Sequence, residues 1–561
     1  MNATDCSFET LSERFSALVR SWRGTVSPDH PCEQELQTIS EQIRQEAELR
    51  FFVDGTKNMG HQVSTLTLIQ RCITQCEYRG HVRIVYADYN NPYLGCTAEK
   101  LALLLQGLDR DRIHSSVLSI GSCSHVTFWP YDRREELQQR VTFGFTGGAD
   151  DMSVNYAEEL NVDYFCRIQP YCWDDLPSQK EDLYYQSSCI ECNDARRFYL
   201  VDASPELTNL VINSPEPPPT EVSESAWGWY QSGQEFDPQL CNRVRNAYFL
   251  HQRLQQPDPP LIWPIYGLQH FREQTPFIAL NCVSAVCRLL KGASRPVVLT
   301  SFTPEENLEA TYRLLNALAD DMQKHDSELS SLSEAILQEL STDDLAIDTD
   351  MSAPYLEEIR RELQGWIESR GRLFVLPGIS TATGQYENIS DEIRSTLPHL
   401  QSNDLLWIGL GPQPQEIFQF YFVEADIPGI IEGQASASYL LSNGIPFIQL
   451  IRKAHSFTNC YPLHPLDYDS SHVVKELNGF AAWIRDRCPD LKSSDLKEES
   501  VLTAELLTRI SEKSDCADPF DAYFQRVKQS CQQPGNDKFL VSLVALSLIC
   551  SYQTGNPNVS F

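Results

Sequence analysis

Short apolar runs of strand length alternate with helix-length amphipathic stretches in two successive series along this chain, and that alternation points to doubly wound α/β architecture. The first series opens with FFVD (51–54) and turns through GTKNMGH. It continues as QVSTLTLIQRCI, where Val63, Leu66, Leu68, Ile69 and Ile73 fall largely on one helical face. VRIVYA (82–87) is the next buried strand, so the unit implies parallel pairing through a right-handed crossover. A helix over 97–107, a strand near 114–120, then VTFGFTGG, SVNYAEEL and DYFCRI (141–168) extend the series, and FYLVDA (198–203) adds one more strand.

SPEPPPTEVSESA then reads as a linker or mobile loop from its Pro, Ser and Glu content. The second series begins with LIWPIYGL (261–268), the helix PFIALNCVSAVCRLL and the strand PVVLTSF (296–302). An acidic helical stretch from about 304 to 370 interrupts it and reads as an insertion, because its polar faces are broad. RLFVLPG, LLWIGLG (405–411), QEIFQFYF, PGIIEGQ (428–434), SASYLLSNG and PFIQLIR (446–452) complete it. The expected plan is a helical lead-in over 1–48, one Rossmann-like lobe over 49–250, a second over 251–470 and a helical segment over 471–561. The fold class is thus α/β, with two doubly wound lobes, helical additions at both termini and a helical insertion.

At 561 residues the chain exceeds what one hydrophobic core supports, which agrees with two lobes. Its 45 Lys plus Arg against 77 Asp plus Glu give a net charge of -32, which repels nucleic-acid phosphates and anionic lipid headgroups. A small anionic nucleotide remains admissible, held by a helix N-terminus and local cations. The 18 cysteines lack the dense spacing of a secreted disulfide scaffold, so a reducing cytosol is expected. Cys189 and Cys192 form a CxxC with no second pair, and read as two thiols near a surface turn rather than a metal site. The N-terminus has no secretory pattern, although export by a route that ignores such signals stays open. FLVSLVALSLIC is too short to cross a bilayer and reads as a buried helix.

Ligands of open α/β sheets bind at the carboxyl ends of strands. In GLGPQPQEIF, Gly409 and Gly411 let backbone approach a ligand, and Glu416 falls in the first turn of the next helix. In EGQASASYLL, Gly433 precedes a helix whose first amides, around Gln434, Ala435 and Ser436, favour a phosphate. Glu432 ends its strand, where a carboxylate accepts from ribose or sugar hydroxyls or simply complements the helix start. Arg452 and Lys453 follow PFIQLI at an edge where they would steady a leaving diphosphate, unless they are merely solvated.

The run LLWIGLGPQPQEIFQFYFVEADIPGIIEGQASASYLLSNGIPFIQL resembles the donor half of GT-B glycosyltransferases. In that superfamily an "aD" strand follows the base-capping loop, an acidic or Gly-rich turn contacts the donor, and a helix ends in "GxP". Ala425-Asp426, Glu432-Gly433 and Gly444-Ile445-Pro446 occupy those places. The segment has no HxGxxS or DQ pair, so the resemblance implies neither a particular nucleotide nor a particular sugar.

The resemblance also draws attention to DGTKNMGHQ (54–62), because GT-B enzymes often keep a Gly-rich turn with a His facing the interlobe cleft. Gly60 and His61 match it, and His61 is a candidate general base or else a ring packed on the helix start. Asp54 would orient His61 or act as the base itself, and Lys57 would pair with donor phosphate or with Asp54. In GFTGGADD, Gly147 and Gly148 permit a tight turn, and Asp150 and Asp151 are acceptor-side carboxylates or N-caps.

The expected activity is therefore transfer of a sugar from a nucleotide-sugar donor to an acceptor of unknown class. No cofactor or metal is expected. A sugar-nucleotide epimerase or hydrolase on the same architecture, or a binding protein without turnover, are the alternatives.

Overall fold

The computed structural model describes residues 8–23, 27–55, 59–87, 97–105, 108–148, 153–170, 188–200, 210–214, 217–228, 238–271, 274–290, 294–304, 308–324, 349–380, 383–450, 461, 468–487 and 519–553. Two sheets organise them. The first has eight strands: β1 (Glu48–Val53), β2 (His81–Tyr86), β3 (Val117–Ile120), β4 (Cys123–Pro130), β5 (Val141–Thr146), β6 (Val162–Arg167), β7 (Cys189–Cys192) and β8 (Arg197–Tyr199), in the order β3-β4-β2-β1-β5-β6-β7-β8. The central five are mutually parallel, and β3, β7 and β8 add antiparallel edges.

The second sheet has six strands, all parallel: β9 (Leu261–Ile265), β10 (Val297–Ser301), β11 (Leu373–Leu376), β12 (Leu405–Gly409), β13 (Gly429–Ile431) and β14 (Phe447–Gln449), ordered β11-β12-β10-β9-β13-β14. Strands such as LIWPI, VVLTS and LLWIG are buried along their whole length. Helices cover both faces of such a sheet, so its strands read as continuous apolar runs.

Helices α1 (Phe8–Trp22), α2 (Pro31–Gln45) and α3 (Gly60–Gln75) belong to the first sheet, with α4 (Thr97–Leu104) and the single turn α5 (Tyr156–Glu159). A second single turn, α6 (Glu224–Trp227), precedes α7 (Pro238–Leu254) and α8 (Thr275–Leu290). In the stretch read from sequence as an acidic insertion, α9 (Glu309–Lys324) and α10 (Thr349–Glu368) lie between β10 and β11. Both pack on α8 and bury Tyr312, Leu315, Ile359, Leu363 and Trp366, so a narrow apolar stripe supplies core contacts under a broad polar face. Helix α11 (Ser390–Thr396) precedes β12, α12 (Gln415–Val423) joins β12 to β13, and α13 (Gln434–Asn443) joins β13 to β14.

Of the last three helices among the described residues, α14 (Tyr468–Asp486) and α15 (Pro519–Cys531) pack with the second sheet. Helix α16 (Lys538–Gln553) returns to the first and packs on α1, α2 and β6. It carries the FLVSLVALSLIC run, buried from Phe539 to Cys550. No helix among the described residues is long and apolar enough to cross a membrane. Cys189 and Cys192 lie in β7, where both thiols are buried as small hydrophobes, and Cys192 opens the exposed turn at 193–196, where its carbonyl accepts from the Ala195 N–H at 3.0 Å.

At the amino ends of β1 and β2, Glu48 collects three cationic or hydrogen-bonding side chains. Arg83 donates to both carboxylate oxygens at 3.0 and 2.8 Å, Arg50 donates at 2.8 Å, and His81 Nδ1 lies 3.0 Å away. Burial alone would push this carboxyl up, but the bonds from His81, Arg83 and Arg50 outweigh it and hold the group well below the usual carboxylate range. A carboxylate depressed in the folded state contributes stability above its unfolded pKa, about 4.3, and loses it as pH falls toward the folded value. Glu48→Gln is therefore expected to lower stability at neutral pH and to flatten the acid limb below about pH 4. Urea unfolding across that range checks this, and an equally steep limb in the variant would exclude Glu48 as its source.

Candidate functional site

In each sheet the chain first lays strands on one side of a central strand and then restarts on that strand's other side. The reversal falls between β1 and β5 in the first sheet, and between β9 and β13 in the second. A crevice opens beyond the carboxyl ends of the two strands at such a reversal. The first crevice is bordered by Asp54 and by Gly147-Gly148, the second by Gly267 and by Glu432-Gly433.

At the first, Gln62 at the start of α3 donates its side-chain N–H to the Asp54 carbonyl at 2.8 Å, which ties the helix to the end of β1. Asp54 is itself buried. The Gly147 N–H donates to Thr65 Oγ1 at 2.9 Å, and a Cβ at Gly147 would stand 2.4 Å from backbone atoms of Ser64 and Thr65. Only a glycine lets this turn lie directly on the α3 backbone. Gly148 lies against the half-buried His61 ring, since a Cβ there would come within 2.6 Å of Cδ2. Asp54, Gly60, His61, Gly147 and Gly148, chosen from two separate sequence segments, thus form one cluster.

At the second, Gly267 has φ +98°, and a Cβ on it would stand 2.6 Å from the Glu432 Cβ. That glycine lets the turn after β9 close onto the end of β13, where the Glu432 N–H donates to the Tyr266 carbonyl at 3.1 Å. The Glu432 carboxylate lies 3.2 Å from His270 Nε2, with both side chains largely buried. Burial, and then the Glu432 charge, push the Tyr266 phenol up. Gly433 is the N-cap of α13, with no side-chain capping bond, ahead of the first-turn residues Gln434, Ala435 and Ser436. His270 escaped the sequence reading. Its signal was the run YGLQH, a Gly-and-His turn directly after a buried strand, as in the first series.

The two crevices are neighbours. Helix α3 packs against α13, and a Cβ on Gly60 would stand 3.9 Å from the Ala435 Cβ. Gln169, just beyond β6, donates to the Gln434 side-chain oxygen at 2.7 Å. Gly409 and Gly411 are not part of this meeting, and Glu416 reaches only the space beside it. Both β10 and β9 separate β12 from β13, the Gly409 carbonyl is abutted by Gly378, and Gly411 is abutted by the Tyr386 ring. Glu416 accepts from both the backbone N–H and the hydroxyl of Ser223, the latter at 2.8 Å, so its carboxylate anchors the segment between the sheets. Lys57, Asp150, Asp151, Arg452 and Lys453 lie outside the described residues.

The combined arrangement offers a helix N-terminus, a half-buried imidazole and a carboxylate–imidazole pair at two adjoining crevices. Such a set can hold an anion, accept a proton and orient hydroxyl groups. No protein-family model matches the chain, and no curated protein is significantly similar to it.

Proposed function

We propose that the protein transfers a sugar from a nucleotide-sugar donor to an acceptor, using two Rossmann-like lobes in a GT-B-like arrangement. The observation that supports this reading best is the adjacency of the two strand-order reversals, with the start of α3 opposite the start of α13 across Gly60 and Ala435. A donor diphosphate would take the first-turn amides of α13, where the helix macrodipole favours negative charge. Glu432, held by His270, would accept from ribose or sugar hydroxyls. His61, seated against Gly148, would take the acceptor proton, and Asp54 lies at the same turn.

The test is a thermal-shift series with UDP-, GDP- and TDP-sugars on the wild type and Glu432→Ala. A donor at a hundredfold excess over its Kd stabilises the folded state by about 2.7 kcal/mol. Loss of a hydrogen bond to a charged group costs roughly 1.5–3 kcal/mol, so the variant is expected to bind about ten- to a hundredfold more weakly. No stabilisation of the wild type by any of these donors would end the proposal. Mass spectrometry of the products separates transfer from hydrolysis or epimerisation.

A further inference from the structure

Beside the contact between α3 and α13 lies a cavity of about 710 Å³, within the roughly 300–1,000 Å³ span of small-molecule sites. Its described walls come from α3, Leu104 of α4 and Pro170 on the side of the first sheet, from α12 and α13 on the side of the second, and from residues 212, 214 and 217–226. Ala435 and Glu416 reach its lining. Gly60, His61, Gly148, Glu432 and Gly433 do not.

The chemistry of the lining is selective. No Lys, Arg or His is found among its described residues. Its carboxylates are Glu221, which is exposed, and Glu416, which is already engaged by Ser223. The described lining therefore brings no fixed positive charge to a bound anion, in a chain whose net charge is -32.

What the walls offer is neutral hydrogen bonding. Gln70 lines it from α3, and Gln415 and Gln419 from α12, while the Thr67 hydroxyl, which donates to the Val63 carbonyl at 3.0 Å, is left with acceptor capacity. A side-chain amide donates and accepts at once, so these groups match a ligand whose own groups do both. The three consecutive prolines Pro217, Pro218 and Pro219 supply rigid apolar surface. A pyranose ring has this same duality, with hydroxyls at its rim and C–H groups on its faces.

We propose that this cavity binds a short uncharged oligosaccharide. The proposal goes beyond the transfer reading, because it concerns a carbohydrate site apart from the turns at His61 and Glu432 and rests on the cavity lining alone. Since α3 and α12 belong to different sheets, a bound saccharide would contact both and favour their present juxtaposition.

Titration calorimetry on the full chain tests it, with maltotriose, cellotriose and triacetylchitotriose as neutral probes and trigalacturonate as the anionic comparator. At least one neutral probe is expected to bind, and trigalacturonate is not. Gln419→Ala is expected to weaken binding roughly two- to tenfold, the worth of one hydrogen bond. Thr67→Trp, which fills the cavity from α3, is expected to abolish binding. Circular dichroism shows whether Thr67→Trp folds, and if it does not, Gln419→Ala with Gln70→Ala supplies the same test.

Failure of all three neutral probes to bind, unchanged affinity in the variants, or preference for trigalacturonate would overturn the proposal. The nucleotide-sugar melting shifts, measured on the same samples, keep the two ideas apart. Shifts without saccharide binding sink this inference alone, whereas saccharide binding without any such shift sinks the transfer reading alone.

Discussion

Asp537→Ala is expected to lower the stability of the protein by about 3–5 kcal/mol, the usual cost of leaving a buried charge without its partner. Arg71 on α3 reaches the Asp537 carboxylate at 2.7 Å, with both side chains nearly inaccessible to solvent. Asn213 donates to the same oxygen at 3.0 Å, and the other oxygen accepts from the Phe539 N–H at 3.0 Å, at the start of α16. The neighbouring Lys538 N–H donates to the Val211 carbonyl at 2.8 Å, and its ammonium to the Pro170 carbonyl at 3.1 Å. One carboxylate therefore joins α3, the segment between the sheets and the point where the chain crosses back to the first sheet.

The loss has an internal control. Replacing both charges with apolar residues of similar size, Arg71→Met with Asp537→Leu, removes the stranded guanidinium and is expected to cost much less than Asp537→Ala alone. Chemical denaturation of the single and double variants measures the difference. A loss below about 1 kcal/mol in Asp537→Ala would mean that water relieves Arg71 and that the burial argument fails.

Gly147→Ala is the second change expected to act strongly. The added Cβ would stand 2.4 Å from backbone atoms of Ser64 and Thr65, and backbone cannot rotate aside as the tip of a side chain can. Overpacking of this kind costs about 1–3 kcal/mol and sometimes more. Because the displaced element is α3, the variant is also expected to move His61 from its seat against Gly148 and to weaken the proposed transfer beyond its effect on stability. Gly479→Ala is the matched control. It lies within α14 with no atom within 4 Å of the added Cβ, so the better helix propensity of alanine should stabilise by about 1 kcal/mol. Equal behaviour of the two variants in thermal and urea unfolding would defeat the close-approach argument.

Much of the local structure was legible in the residues. The strands read at FFVD, VRIVYA, VTFGFT, LIWPI, PVVLTSF and LLWIGLG are present, with ends displaced by only a few residues. The reading was weaker where the signal was short or mixed. CSHVTFWP gives β4, which pairs beside β2, yet its Ser, His and Thr interrupt the apolar run and concealed it. The helix expected over SVNYAEEL shrinks to the single turn Tyr156–Glu159, capped by the Asn155 side chain at the Ala157 N–H. For α9 and α10, broad polar faces read as an insertion, and the apolar face of each adds residues such as Tyr312, Leu315, Ile359 and Leu363 to the core.

The residues by themselves determined where strands and helices form, since hydrophobic periodicity and turn chemistry act over a few neighbours. They also marked the Gly-containing turns at 54–62, 144–148 and 432–436 as unusual. Only the tertiary structure decided that β5 lies on the far side of β1 and β13 on the far side of β9, which makes those turns borders of two crevices. It alone joined Gly60 to Ala435, Glu432 to His270, and Glu416 to Ser223. Such pairings depend on packing between elements far apart in the chain, where many partners satisfy the same local pattern and burial of the whole selects one.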